Sequence, residues 1–251
     1  MNNYLQHTQR IVTAVDEFDF AERIKPSAVM EYFQDLATVH ALEIGIGYET
    51  MKSQNLCWVL NRLSAEIDRM PTLGEEITIT TLPHKPGLVD AIRDYYITDR
   101  NGNSLIRGTS RWCVLDIVSK GVRRCAPLFH YDDTQYIPDA AVPNGNPQLS
   151  DISSMGKIEK TVMGQVHITD LDRNGHMNNA RYADIVVNCC DFDYYATHTI
   201  RAFDFNFLSE MKINDTYTVQ MHMHTDGNAS YFQAMGDRRE DPVFRARILW
   251  K

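Results

Sequence analysis

The chain writes one pattern twice, and that constrains its fold more than any other feature. The stretch IRAFDFNFLSEMKINDTYTVQM lies on LNRLSAEIDRMPTLGEEITITT with Asn61 beside Arg201, a spacing of 140 residues. In that register Ile77 meets Tyr217, Ile79 meets Val219 and Glu75 meets Asp215. The closing FRARILWK echoes RGTSRWCVL. Each copy is headed by a helical pattern. Behind Pro26, which suits a first helical position, Val29, Phe33, Leu36 and His40 step by four, three and four, within a helix read from Lys25 to His40. Asn179, Tyr182, Val186 and Cys190 step by three, four and four. Strand signals follow the first helix: isoleucines alternate with threonines in EEITITTL, and two alternating runs flank the hairpin dipeptide Asn101-Gly102. The expectation is an α+β fold of two repeats, each a long helix packed on an antiparallel sheet. A single repeat would leave a sheet edge and a face uncovered, and pairing the copies covers both.

Between the copies periodicity fades. Ala126 to Lys157 holds four of the nine prolines and reads as a connection running over the surface. The expected organisation is a first repeat over 1–118, a linker over 119–160 and a second repeat over 161–251. A chain of 251 residues buries enough surface to need no staple. The five cysteines, an odd number without a CxxC, speak against a disulfide framework or a structural zinc. The start MNNYLQHTQR lacks the basic-then-apolar layout of a secretory signal, and no apolar run approaches the roughly 18–20 residues of a membrane span. The expected compartment is the cytoplasm. A net charge of −8 argues against nucleic-acid binding, which needs a basic surface to displace counterions.

The densest polar cluster stands where the second helix begins, in TDLDRNGHMNNARYAD. The first copy's helix start, RIKPSAVMEYF, has nothing comparable. Asp172, Asn174 and His176 alternate by two, so an extended backbone would put them on one face. An aspartate can hold a histidine tautomer, a histidine can shuttle a proton, and an asparagine can donate to a developing oxyanion. The N–H groups around Met177 to Asn179 would add a helix terminus that favours negative charge. Such a set suits acyl transfer to water. The same residues also make ordinary helix caps and Asn-Gly turns.

Other features carry less. His222 and His224 share a strand face as a metal pair would, but Met221 and Met223 take the opposite, apolar face, so both histidines are expected in solvent. Gly45-Ile46-Gly47 lacks the third glycine of a nucleotide loop. Arg238-Arg239 reads as a hairpin turn.

NGHMNNARYAD resembles the N-x-H-x-N-N-x-x-Y signature of the acyl-acyl-carrier-protein thioesterases, and the preceding D-x-D continues the match. Ser209-Glu210-Met211 falls where that family has an acid, followed in plant members by cysteine. The first helix, WVLNRLSAEIDRMPTLGEEI and SRWCVLD also look like the family, so the resemblance covers nearly the whole chain. It implies a double hotdog fold and hydrolysis of fatty acyl-[acyl-carrier-protein] (acyl-ACP) to free fatty acid and holo-ACP, without metal or organic cofactor.

The implied catalytic set is Asp172, Asn174, His176 and Glu210. The motif residues Asn178, Asn179 and Tyr182 would lie on the substrate side. Val29, Phe33, Leu36 and Trp58 would line an acyl slot, although a stripe at helical spacing equally describes core. Met211 departs from the plant pattern, and a thioether cannot serve as the nucleophile once ascribed to that cysteine. An acidic carrier protein would want a basic patch, which Lys157, Lys160, Arg173 and Arg181 could supply. A homodimer stays open. Three alternatives also remain: an acyl-CoA thioesterase of the same fold, a non-catalytic acyl-binding protein, and, more weakly, a hotdog dehydratase.

Overall fold

The computed structural model describes residues 6–129, 140–224, 227–237 and 240–251. The first residues of the N-terminus, part of the linker and Arg238-Arg239 lie outside them. The chain divides into two compact units, one of Met1–Ile24 with Glu31–Asn146 and one of Lys25–Met30 with Pro147–Lys251.

The first unit holds strand β1 (His7–Val12), helix α1 (Pro26–Glu43) apart from its first residues up to Met30, which belong to the second unit, the short helix α2 (Tyr48–Ser53) and strands β2 (Leu56–Ile67), β3 (Glu76–Pro83), β4 (Asp90–Asp99), β5 (Ser104–Asp116) and β6 (Val122–Arg123). The second holds β7 (Lys160–Gln165), α3 (Asn179–Cys189), the short α4 (Phe192–Thr197), β8 (Ile200–Phe207), β9 (Thr216–Met223), β10 (Ala229–Gly236) and β11 (Pro242–Trp250). The first sheet runs β1-β3-β4-β5-β2 and the second β7-β9-β10-β11-β8. Counting strands within each unit, both orders are 1-3-4-5-2, with the long helix between the first strand and the second. These neighbours pair antiparallel.

The spacing of 140 returns as matched hydrogen bonds. Thr13 N–H donates to Glu75 C=O at 3.1 Å, and Val166 N–H to Asp215 C=O at 2.9 Å. Gly74 and Asn214, both left-handed with φ +75° and +65°, donate to Thr13 C=O and Val166 C=O. The Glu75 carboxylate accepts the Thr72 N–H, as that of Asp215 accepts the Lys212 N–H. One tight turn therefore joins the first and third strands of each sheet.

Packing differs between the units. In the first, Phe33 stacks on Tyr95 with centroids 4.3 Å apart. Gly108 lies under it, where an added Cβ would come within 2.2 Å of the Phe33 ring, so only glycine fits. In the second, Phe203, Phe205, Phe232 and Phe244 are buried, and Tyr182 of α3 packs edge-on against Phe244.

The linker is more than a surface connection, because side chains of both sheets tie the backbone of its described residues. In the first unit Arg107 donates to Ala141 C=O at 2.8 Å, and Asn146 N–H donates to Ser64 Oγ at 2.7 Å. In the second, Arg245 donates to Leu149 C=O at 3.1 Å and pairs with Asp151 at 3.0 Å, while Leu149 N–H donates to Asn206 Oδ1. This strap also corrects the expectation for the strand histidines. His224 is exposed, but His222 is buried at 8% exposure with Nδ1 2.8 Å from Lys157 C=O, because the strap covers that face.

Candidate active site

In the second unit two segments meet at the head of α3. One runs from Asp170 to Asn178, the other from Leu208 to Asp215. Met177 N–H donates to Met211 C=O at 2.8 Å, and His176 forms a β-bridge with Lys212. Leu208 and Ser209 N–H both donate to Val243 C=O, which ties the second segment to β11. The lock brings His176 Nε2 to 3.1 Å from Glu210 Oε2, with both side chains partly exposed. The Met211 side chain is buried at 1%, so Glu210 is the group this segment presents.

The expected alternation of Asp172, Asn174 and His176 on one extended face is not found. The backbone turns instead. Asp172 N–H donates to His176 C=O at 2.7 Å, and Gly175 N–H, at φ +74°, donates to Asp172 C=O at 3.0 Å. The Asp172 Oδ1 accepts the N–H groups of Asn174 at 2.8 Å and His176 at 3.2 Å, and its Oδ2 accepts Asn174 Nδ2 at 3.2 Å. A short side-chain acceptor that captures N–H groups two and four residues on favours a turn over a strand. The turn still gathers Asp172, Asn174 and His176 with Glu210.

The helix terminus is also less open than its sequence suggests. Met177 N–H is taken by Met211, and Asn178 N–H donates to Asp170 C=O at 2.8 Å. The Asn178 side chain caps α3 by accepting the Ala180 N–H. Asn179 begins the helix. Tyr182 is 3% exposed and packs edge-on against Phe207 and Phe244. Val29, Phe33 and Leu36 are buried at 2% exposure or less, and Trp58, partly buried, donates Nε1 to Ile46 C=O.

The basic residues divide. Lys160 Nζ donates to Cys190 C=O at the end of α3, and Arg181 pairs with Asp184 at 2.7 Å, while Lys157 and Arg173 are exposed. All five cysteines are free thiols. Burial pushes the thiols of Cys125 and Cys190 up to about 11 and about 12, the opposite of an activated nucleophile. No group of three or more metal-ligating side chains occurs among the described residues, and no helix among them is long and apolar enough to cross a membrane.

The lock between Met177 and Met211 was not legible in the sequence, since backbone groups form it. The one signal was the 34-residue interval from His176 to Glu210, which the family resemblance shares.

Comparison with known proteins adds the family. The model of the acyl-ACP thioesterase N-terminal domain matches residues 4–129, and that of the C-terminal domain residues 156–251. The chain is 22% identical over 220 residues to a chloroplastic acyl-[acyl-carrier-protein] hydrolase of Cuphea viscosissima, covering 82% of this chain and 52% of that protein. It is 22% identical over 247 residues to a chloroplastic palmitoyl-acyl carrier protein thioesterase of Gossypium hirsutum, covering 89% and 58%. The chain thus spans somewhat over half the length of these two relatives. Two solved structures share its fold across 98% of the chain. An acyl-ACP thioesterase from Bacteroides thetaiotaomicron superposes with a TM-score of 0.86 at 21% identity over 98% of its own length. A 12:0-ACP thioesterase from Umbellularia californica gives 0.82 at 20% over 97%.

Proposed function

Given that the chain belongs to the acyl-ACP thioesterase family, we propose that it hydrolyses a fatty acyl thioester on acyl carrier protein, releasing free fatty acid and holo-ACP. The observation that carries the reading is the approach of His176 Nε2 to Glu210 Oε2 at 3.1 Å, with both side chains partly exposed. In the proposed reaction Glu210 takes a proton from water as it attacks the thioester carbonyl. The Asn174 amide donates to the oxyanion, since the Met177 and Asn178 N–H groups are already committed. His176 orients the carboxylate and relays the proton that Glu210 has taken from water to the departing thiolate, as the C–S bond breaks.

The acyl chain is assigned to the face of α1 that carries Val29, Phe33 and Leu36, with Trp58 nearby in sequence order on β2. Enlarging Val29 or Leu36 should shift preference toward shorter chains. The carrier would dock on Arg173, Arg181 and Lys157, so raised salt should increase KM. Five free thiols suit a reducing compartment, and the cytoplasm is proposed.

The test is fatty acid release from a panel of acyl-ACPs and the matching acyl-CoAs, with Glu210→Gln and His176→Ala alongside. ACP-selective release, lost by about 10²–10⁴-fold in both variants, is the expected result. Release from CoA esters alone would move the protein to another carrier. No release from either would make it an acyl-binding protein.

A further inference from the structure

The turn that carries His176 has a double in the first unit, at a constant spacing of 153 residues. Asp19 corresponds to Asp172, Ala21 to Asn174, Glu22 to Gly175 and Arg23 to His176. Asp19 N–H donates to Arg23 C=O at 2.9 Å, and Glu22 N–H donates to Asp19 C=O at 3.1 Å. The Asp19 Oδ1 accepts the N–H groups of Ala21 at 2.8 Å and Arg23 at 3.0 Å. These are the four bonds of the Asp172 turn, each within about 0.2 Å of its counterpart. The left-handed residue also recurs, Glu22 at φ +58° against Gly175 at +74°. The flanking bridges match too, Phe18 with Ile24 and Leu171 with Met177.

We infer that Asp172 is a positioning residue, whose carboxylate closes the turn that aims His176 and Asn174 and exchanges no proton or charge with the imidazole. The first unit carries the same carboxylate in the same bonds, with an arginine in place of the histidine. Closing the turn is therefore a sufficient reason for an aspartate at this position. In the second unit the Asp172 side chain accepts hydrogen bonds from the Asn174 N–H, the Asn174 amide and the His176 N–H, and the imidazole Nε2 faces Glu210. At Oδ2 the units differ: it accepts Arg23 Nε at 3.0 Å in the first and Asn174 Nδ2 at 3.2 Å in the second.

The inference rests on the reading of His176 and Glu210 as the reacting pair, and its test separates the two. Asp172→Asn keeps an acceptor oxygen for the two N–H groups but removes the charge, whereas Asp172→Ala removes both. The Asn variant should keep at least about a tenth of the parent kcat, with the same pH profile, and the Ala variant should lose about 10²-fold or more. The His176 imidazole pKa, followed by NMR, should change by less than about half a unit in Asp172→Asn, a readout that needs no turnover. Asp19→Ala should lower thermal stability much as Asp172→Ala does and leave kcat within about twofold of the parent. An Asn variant as slow as the Ala variant, or a His176 pKa that falls by about a unit or more, would overturn the inference. So would an Ala variant as active as the parent. Full activity in Glu210→Gln would instead sink the proposed reaction, and the NMR result would still decide the role of Asp172.

Discussion

At the head of its long helix the first unit offers alanine and arginine where the second offers asparagine and histidine. Across from them, at the 140-residue spacing, it offers Met70 where the second offers Glu210. The backbone frame beneath these side chains is nearly the same, with matching carboxylate-closed turns, matching bridges and matching first-to-third strand corners. The first unit thus keeps the turn but not the asparagine, the histidine or the facing glutamate to which the proposed reaction is assigned.

The sharpest way to break that comparison is to give the second unit the first unit's residues. Asn174→Ala with His176→Arg should cut kcat by about 10²–10⁴-fold while the cooperative melting transition survives, because the turn needs neither side chain. Substantial turnover in a folded double variant, or loss of the fold, would mean that the units are not equivalent frames. The strap arginines come next. Arg107→Ala and Arg245→Ala each unpair a covered strap carbonyl and remove a charged partner, and each should cost about 1–3 kcal/mol in urea unfolding. A large loss for one and none for the other would show that only one sheet depends on its cover.

The corner turns supply a pH test. Arg69 beside Glu75 holds that carboxyl down to about 2, and the position matching Arg69 in the second unit is Ser209. A carboxyl depressed in the folded state contributes stability above its unfolded pKa, near 4.5, and loses it as pH falls toward about 2. Glu75→Gln should flatten the acid limb of the stability curve over that range, and an unchanged acid limb would mean that the Arg69 pairing is immaterial. The smallest effect should come from the left-handed positions. An added Cβ at Gly175 meets nothing within 4 Å, so Gly175→Ala carries only the backbone penalty of φ +74°, about 1 kcal/mol. Glu22→Gly should relieve a similar strain and gain about 0.5 kcal/mol after the entropy of a freer unfolded chain, readable as a small rise in Tm.

The 140-residue register was legible because strands and turns write their constraints into side chains, as alternating Ile77 and Ile79, Gly74 at a left-handed position, and acids at 75 and 215. The paired helix heads were not. Their spacing is 153, and α3, with 11 residues against the 18 of α1, makes up seven of the thirteen residues that separate it from 140, so no single offset aligns both ends of the repeat. Of the five turn positions only the aspartate is shared, and Glu22 hides the left-handed site that Gly175 advertises. The family resemblance grouped Asp172, Asn174, His176 and Glu210, and the structure sets His176 beside Glu210 and Asp172 beside Asn174. Pattern alone mistook a turn for an extended strand, because it could not register a carboxylate binding backbone N–H groups. The strap was misread for a related reason: it has no periodicity, and its partners are arginines far away in sequence.

That strap bears on how chains of this kind can exchange halves. Ala141 to Asn146 is held by the first sheet, and Pro147 and Leu149 are held by Asn206 of the second. A recombination joint at the Asn146–Pro147 bond would pass each sheet on with the peptide that shields it. A joint near residue 119 or 160 would leave Arg107 or Arg245 facing an unfamiliar backbone. The seam for shuffling relatives lies in the middle of the stretch whose composition looks most like mere spacer.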